Sequence, residues 1–177
     1  MRLTPVPVTG AYVVTPEARR DERGSFARLW CQREFAERGL NVTFVQYNSA
    51  LNRHRGTLRG LHYQAAPYQE VKLVRCVRGG VFDVLVDLRR DSGSYLQSFG
   101  LELTADNQTM LYIPEGCAHG YLTLQEDSEM AYLVSEFYHP EAERGVRWND
   151  PLFGIVWPIE GAYTISAKDQ VWPDYSV

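Results

Sequence analysis

The chain has 177 residues, of which 45% are hydrophobic and 23% are charged. These proportions are typical of a globular protein with a substantial apolar core, and they exclude general disorder. We therefore predict one domain over residues 1–177. The formal net charge of −4 argues against nucleic acid or an anionic membrane as the main partner.

Cysteine content and hydropathy indicate the compartment. Cys31, Cys76 and Cys117 are an odd number of cysteines without metal-like spacing, so we expect reduced thiols and not a disulfide framework. Residues 1–10 contain no long apolar segment behind a positive start, and no stretch approaches the roughly 18 apolar residues of a membrane helix. We expect a cytoplasmic protein.

Short β-branched and aromatic runs, separated by turn residues, follow one another along the chain. One helix is predicted over residues 32–39, ending at Gly39. The segment after residue 141 is expected to be irregular. The predicted strands span residues 11–15, 25–30, 44–50, 58–64, 71–77, 81–88, 97–103, 109–113, 120–124 and 130–137.

This succession predicts an all-β fold, a cupin-type jelly-roll β-barrel with a few short helices. Such a barrel can hold a ligand inside, and an inward polar side chain needs a partner or a function because its burial is costly.

Two predicted strands carry polar side chains at such positions. Alternation in strand 58–64 places His62 and Gln64 on one face and Leu61 on the other, and Lys72 lies within an apolar run. Each also has a purely structural interpretation. A strand histidine is commonly a hydrogen-bonded polar residue, and Lys72 can protect a sheet edge. Tyr132, in the predicted strand 130–137, can be a core aromatic.

A metal site is one functional alternative. Small β-barrel metalloproteins commonly use a His-x-His pair, a following glutamate and a later Pro-x-Gly-x-x-His segment. Here His62, Glu70 and Pro114-x-Gly116-x-x-His119 fit this order. Gln64 occupies the second histidine position, however, and an amide is a poor ligand for zinc or iron. We therefore expect neither a metal nor another cofactor.

Specific motifs extend in order over nearly the whole chain. They are Asp21-Glu22-Arg23-Gly24-Ser25-Phe26, Phe44-Val45-Gln46-Tyr47-Asn48, Leu58-Arg59-Gly60-Leu61-His62-Tyr63-Gln64, Lys72-Leu73-Val74, Ile113-Pro114-Glu115-Gly116-Cys117-Ala118-His119-Gly120, Trp148-Asn149-Asp150-Pro151 and Ser166-Ala167-Lys168-Asp169. In these motifs the chain resembles the dTDP-4-dehydrorhamnose 3,5-epimerases, cupin-fold enzymes of deoxysugar synthesis.

The resemblance implies a proton-transfer mechanism. His62 matches the general base that removes the proton next to the C4 ketone, and Asp169 matches the carboxylate paired with it. Lys72 matches the cation beside the developing enolate. Tyr132 matches the acid that returns a proton to the opposite face of the sugar ring.

The resemblance also implies the substrate contacts and a homodimer. Arg23 and Arg59 match contacts to the diphosphate and the sugar, and Arg23 and Phe26 are expected to reach the neighbouring subunit's site. The other matched contacts are Gln46, Asn48, His119, Tyr138, Glu143 and Lys168.

The expected reaction is the inversion of C3 and C5 of dTDP-4-dehydro-6-deoxy-glucose. Arg28 stands where the family commonly has a substrate-contacting glutamate, and Tyr47 replaces the usual aspartate. Four alternatives stay open: inversion at C3 or C5 alone, another nucleotide-linked 4-keto sugar, a metal-dependent cupin enzyme, and a non-catalytic sugar-binding cupin.

Overall fold

The computed structural model describes residues 1–41 and 43–177, which form two β-sheets and a separate hairpin. The first sheet contains, in spatial order, β1 (Arg2–Pro5), β2 (Tyr12–Thr15), β10 (Met110–Ile113), β7 (Lys72–Arg78), β12 (Ser128–Val134) and β5 (Gln46–Asn52). The second contains β13 (Glu143–Gly145), β6 (Thr57–Gln64), β11 (Cys117–Thr123), β8 (Gly80–Asp87) and β9 (Ser98–Thr104), with β14 (Thr164–Ile165) parallel to β6. The hairpin consists of β3 (Arg19–Asp21) and β4 (Gly24–Phe26).

The two sheets pack face to face over an apolar core, as in a jelly roll. Alternation along each strand decides which residues enter it. Val74 and Cys76 of β7 point inward and meet Leu85 of β8 and Met130 of β12, all of them fully or almost fully buried. The prediction of an all-β jelly-roll barrel is confirmed.

Two further apolar clusters cover the outer faces of the sheets. Phe35 of the helix α1 (Gln32–Ala36) packs with Leu73 and Met110 on the first sheet. Phe153, in a 3₁₀ turn at Pro151–Phe153, packs with Leu61 on the second. Among the described residues, no helix combines the length and the hydropathy needed to cross a membrane.

Several predicted element bounds are wrong. The strand predicted over residues 25–30 ends at Phe26, because Leu29 and Trp30 leave the hairpin to pack against the first sheet. The predicted helix 32–39 ends at Ala36, and the strand predicted to residue 137 ends at Val134. The segment after residue 141, predicted to be irregular, contains β13, β14 and the helix α2 (Ala167–Gln170).

A β-bulge interrupts the alternation of β6. His119 pairs with His62 while Tyr121 pairs with Arg59, so two residues of β6 lie opposite one residue of β11. Gly60, at the bulge, has φ +121°, and a Cβ there would lie 2.7 Å from the Cα of Gly120. The bulge puts Arg59 on the same face as His62, although the two are three residues apart.

Candidate active site

An open cavity occupies the part of the barrel interior that the apolar core leaves free. Its outer part has a volume of about 380 Å³ and its inner part about 160 Å³. Inward side chains of β5, β6, β7, β11 and β12 line it. His62, Lys72 and Tyr132 border both parts, so the structure brings three of the four predicted catalytic side chains to one space.

The fourth predicted residue, Asp169, lies behind His62. Its Oδ1 is 2.6 Å from Nε2 of His62, and its Oδ2 accepts a hydrogen bond from the Gly60 amide. Burial raises the pKa of Asp169, but the hydrogen bonds from His62 and Gly60 outweigh burial, so the pKa lies below its usual value. An ionised carboxylate at Nε2 favours the tautomer in which Nδ1 is the basic nitrogen.

The C-terminal segment holds Asp169 in place. The Ser166 side chain caps α2 by accepting a hydrogen bond from the Asp169 amide. Trp172 donates its indole N–H to Oδ1 of Asp169 and packs edge-on against the His62 ring. A Cβ at Gly145 would lie 2.3–2.5 Å from atoms of the Trp172 ring system, so only glycine leaves room for it. Sequence reasoning did not assign Trp172 to the site.

Lys72 forms an ion pair inside the cavity. Its Nζ is 3.1 Å from Oε1 of Glu70, and the two side chains are only 13% and 12% exposed. Lys72 belongs to the inward row of β7 with Val74 and Cys76, which explains a lysine in an apolar strand. Glu70, considered from the sequence as a metal ligand, is instead the partner of this ammonium group.

Tyr132 is the inward residue at the middle of β12. Burial raises the pKa of its phenol, the Glu70 carboxylate raises it further, and the Arg59 guanidinium opposes both. The net pKa lies above the usual value, so the phenol carries its proton at neutral pH and can act as an acid.

His119 forms a second histidine–aspartate pair, deeper in the barrel. Its Nε2 lies 3.0 and 3.1 Å from the two carboxylate oxygens of Asp83, on the neighbouring strand β8. The Asp83 side chain is fully buried and that of His119 is 10% exposed. His119 lines the inner part of the cavity, as a substrate contact would. Sequence reasoning did not identify Asp83 as its partner.

Arg59 is oriented by a buried amide. Asn52, only 2% exposed, accepts a 2.7 Å hydrogen bond from Nε of Arg59. Its Nδ2 donates to the carbonyl groups of Ala50 and Ser128. The guanidinium group of Arg59 is therefore fixed at the border of the inner cavity.

The predicted contacts at the mouth of the cavity form a connected rim. Oε1 of Gln46 accepts a hydrogen bond from the Tyr138 amide, and the Tyr138 hydroxyl donates to Glu143. The other carboxylate oxygen of Glu143 pairs with Lys168 at 2.5 Å. Asn48 lines the same outer part.

Gln64 joins two loops. Its Nε2 donates to the carbonyl groups of Tyr68 and Phe137, and its Oε1 accepts from the His139 amide. Both ends of the amide are thus occupied by the loops that border the cavity mouth. Gln64 has a structural task at the position where a metal-binding cupin has a histidine.

Four residues named from the sequence do not line the cavity of their own chain. Arg23 pairs with Asp21 on the exposed hairpin, and Phe26, also on the hairpin, is 73% exposed. Arg28 pairs with Glu34, and Tyr47 points outward from β5. Whether the hairpin completes another subunit's site stays a prediction.

Comparison with known proteins identifies the family. The sequence family described as dTDP-4-dehydrorhamnose 3,5-epimerase matches residues 5–176. The chain belongs to this family. The enzyme of that name from Methanothermobacter thermautotrophicus is 45% identical over 165 residues, covering 92% of this chain and 88% of the relative. The crystal structure of the enzyme from Elizabethkingia anophelis superposes with a TM-score of 0.96 at 39% identity, covering 99% of this chain and 96% of that one.

Two further relatives bear on the substrate. An epimerase from Legionella pneumophila in complex with dTDP-4-keto-L-rhamnose has a TM-score of 0.91 at 33% identity, covering 98% of this chain and 92% of that one. A dTDP-4-dehydrorhamnose 3-epimerase from Streptomyces niveus is 38% identical over 171 residues, covering 96% of this chain and 82% of the relative. The predictions of the family and of an isomerase are confirmed.

Proposed function

We propose that the chain inverts C3 and C5 of dTDP-4-dehydro-6-deoxy-glucose by proton abstraction and return next to the C4 ketone, in deoxysugar biosynthesis of the dTDP-L-rhamnose type. The observation that carries the proposal is the arrangement of His62, Lys72 and Tyr132 around one cavity, with an ionised Asp169 bonded to the histidine. A sugar-binding protein without catalysis has no need of this set.

Each inversion proceeds through an enolate. Nδ1 of His62 takes the proton from the carbon beside the ketone, and the C–H electron pair moves toward the carbonyl oxygen. The Lys72 ammonium group stabilises the oxyanion, a type of interaction whose loss typically costs about 3 kcal/mol. Tyr132 donates its proton to the carbon from the other face, after which solvent reprotonates the phenolate and accepts the proton from His62.

The diphosphate is proposed to lie at Arg59, on the border of the inner part of the cavity, and the base at the rim. Arg59 offers a guanidinium fork for the diphosphate, and the exposed ring of Tyr138 offers a stacking surface for the base. Gln46, Asn48, Glu143 and Lys168 are proposed as the other contacts there. A dTDP-linked sugar is supported by the ligand of the Legionella relative.

We propose that the active form is a homodimer in which Arg23 and Phe26 reach the neighbouring subunit's cavity. The exposed phenyl group of Phe26 and the exposed, basic hairpin support this, because both lie outside the chain's own cavity. Leu29, Trp30, Tyr47 and Leu133 border an apolar groove on the outer face of the first sheet, which offers contact area for a second copy.

Isotope exchange tests the reaction. The enzyme is incubated with dTDP-4-dehydro-6-deoxy-glucose in deuterated water and the sugar is followed by NMR. Deuterium at both C3 and C5 is the expected result. Deuterium at only one centre would select a mono-epimerase, such as the Streptomyces niveus relative, and no exchange would refute the proposed substrate.

Subunit complementation tests the shared site. An Arg23→Ala variant and a His62→Ala variant are each expected to be strongly impaired. After the two are denatured and refolded together, half of the dimers are mixed, and each mixed dimer has one intact site. The mixture should recover about a quarter of the wild-type activity. Recovery no greater than the average of the two separate variants would refute a site built from two subunits.

We also propose that the epimerase unit takes up residues 1–177 and works in the cytoplasm. The family match over residues 5–176 supports the first part. The free thiols of Cys31, Cys76 and Cys117 support a reducing compartment.

A further inference from the structure

Among the described residues that line the cavity, Glu70 is the acidic one to which the proposed mechanism gives no role. It lies just before β7, and its side chain is as buried as that of Lys72. A carboxylate at this depth is costly unless it is paired, and here the ammonium group supplies the pairing. The two groups therefore act as one unit in the cavity wall.

The geometry of the Glu70–Lys72 ion pair affects how the ammonium group meets the enolate oxygen. Lys72 carries three N–H donors on a flexible four-carbon stem, and such a stem loses much rotamer freedom when it is held in one position. The bond to Glu70 fixes one donor and leaves two for a substrate oxygen. We propose that Glu70 is a positioning residue, which holds the Lys72 ammonium group where the enolate oxygen forms. This inference rests on the proposed function.

The same carboxylate also acts on the proton donor. After burial, Glu70 is the largest influence that raises the pKa of Tyr132, and Arg59 lowers it. The other ionisable groups lining the inner cavity with Tyr132 are His62 on β6, Lys72 on β7, and His119 and Tyr121 on β11. Glu70 thus holds the Lys72 ammonium group in place and favours the protonated form of the Tyr132 phenol. The proposed reaction needs both the cation and the protonated phenol.

Charge and length at position 70 can be varied separately. Glu70→Gln keeps the size and removes the charge, whereas Glu70→Asp keeps the charge on a shorter stem. Glu129→Gln is the matched control, because Glu129 lies on β12 beside Arg78 and does not line the cavity. We expect Glu70→Gln to lower kcat for deuterium exchange by roughly tenfold with a smaller change in KM. Glu70→Asp should recover part of the rate, and Glu129→Gln should behave as the wild type.

The pH profile gives the second readout. Without the negative charge, the Tyr132 phenol loses its proton at lower pH, so the alkaline limb of the kcat profile for inversion should move to lower pH in Glu70→Gln. Glu70→Asp should leave the limb near its wild-type position. An unchanged rate and profile in Glu70→Gln would overturn the inference, as would equal losses in the Gln and Asp variants.

A measurement without substrate separates this inference from the proposed function. Tyrosine labelled with ¹³C at Cζ is titrated by NMR, and the Tyr132 signal is identified by its absence in Tyr132→Phe. The Tyr132 midpoint should fall in Glu70→Gln and be restored in Glu70→Asp. An unmoved midpoint would refute the electrostatic role of Glu70, whereas a shifted midpoint in an enzyme that exchanges no deuterium would refute only the proposed substrate.

Discussion

Two histidine–aspartate pairs in the described part of the barrel are alike in chemistry and different in construction. His62 and Asp169 come from a strand and from a short C-terminal helix, 107 residues apart in sequence. His119 and Asp83 lie on the neighbouring strands β11 and β8, where His119 pairs with Leu85 and Asp83 pairs with Tyr121, so the two side chains meet diagonally deep inside the barrel. The His62 side chain is 30% exposed toward the cavity and that of His119 only 10%.

The two pairs contain the same chemical groups, and their different positions in the barrel determine their different roles. A base needs access to the substrate and a free lone pair, and His62 has both because its partner approaches from behind. His119 and Asp83 are locked within the sheet, where hydrogen bonds of the backbone ladder fix both strands. We infer that the first pair moves protons and that the second holds the inner wall of the cavity.

Replacing each histidine should separate the two tasks most strongly. His62→Ala removes the base, and we expect it to lower the rate of deuterium exchange by about a hundred- to ten-thousand-fold. His119→Ala removes a wall contact and should cost only about tenfold. Initial exchange rates at saturating substrate measure both. Equal losses would contradict the assignment of different roles.

Replacing each aspartate sharpens the comparison. Asp169→Asn replaces an ionised acceptor by a neutral amide, which no longer favours the basic Nδ1 of His62, so kcat should fall about a hundredfold. Asp83→Asn should change kcat less but lower the free energy of unfolding by about 1–3 kcal/mol, because it removes a fully buried carboxylate from its pair with His119. Urea denaturation supplies the second quantity. A stable Asp83→Asn variant that had lost its activity would reverse the assignment.

Asp87, a buried carboxylate held by Arg89 and not by a histidine, provides a purely structural reference. Burial raises the pKa of Asp87, but hydrogen bonds from Arg89, Ser92 and Ser94 outweigh it and lower the pKa from 3.8 to about 2. Since the folded pKa is below the unfolded one, the carboxylate stabilises the fold above pH 3.8, and this contribution is lost as the pH falls through 2.

The contribution of Asp87 amounts to about 2 kcal/mol. Asp87→Asn should therefore flatten the fall in unfolding free energy between pH 5 and pH 2 by about this amount, while the exchange rate at neutral pH stays near that of the wild type. Chemical denaturation at several pH values is the measurement. An acid dependence identical to the wild type would contradict the role of this carboxylate.

Crowding Trp172, which supports Asp169, should have a smaller effect on kcat than replacing His62 or Asp169. In Gly145→Ala the new methyl group overlaps the Trp172 ring, so the indole must shift and its bond to Asp169 weakens. We expect kcat to fall roughly tenfold, with the His119–Asp83 pair unaffected. Gly93→Ala is the control, because a Cβ there meets nothing within 4 Å. Wild-type kcat in Gly145→Ala would show that Trp172 does not help to hold the carboxylate.

Strand alternation made the barrel predictable from the sequence. In strand 81–88 it placed Leu85 and Val86 on opposite faces, and the structure has Leu85 in the core between the sheets and Val86 in the outer cluster. The lysine within an apolar strand marked the inward row of β7. Strand β1, which includes Pro5, carries no such signal and was not predicted.

The site was less predictable because its parts depend on tertiary contacts. The pairing of His62 with Asp169 was expected from family resemblance, since residues 107 apart in sequence leave no local pattern. Regular alternation would place Arg59 on the face opposite His62, and only the bulge at Gly60 brings them together. Local sequence patterns gave no sign that Glu70 pairs with Lys72.

The central claim is that His62 and Tyr132 act on opposite faces of one sugar ring. Deuterium exchange and configuration in the Tyr132→Phe variant test it most directly. If His62 removes the proton from one face and Tyr132 returns one from the other, this variant should still introduce deuterium at C3 or C5, because His62 can give back a deuteron. The configuration at those carbons should then be retained. Normal inversion in Tyr132→Phe, or deuterium exchange at the wild-type rate in His62→Ala, would contradict two groups acting across one ring.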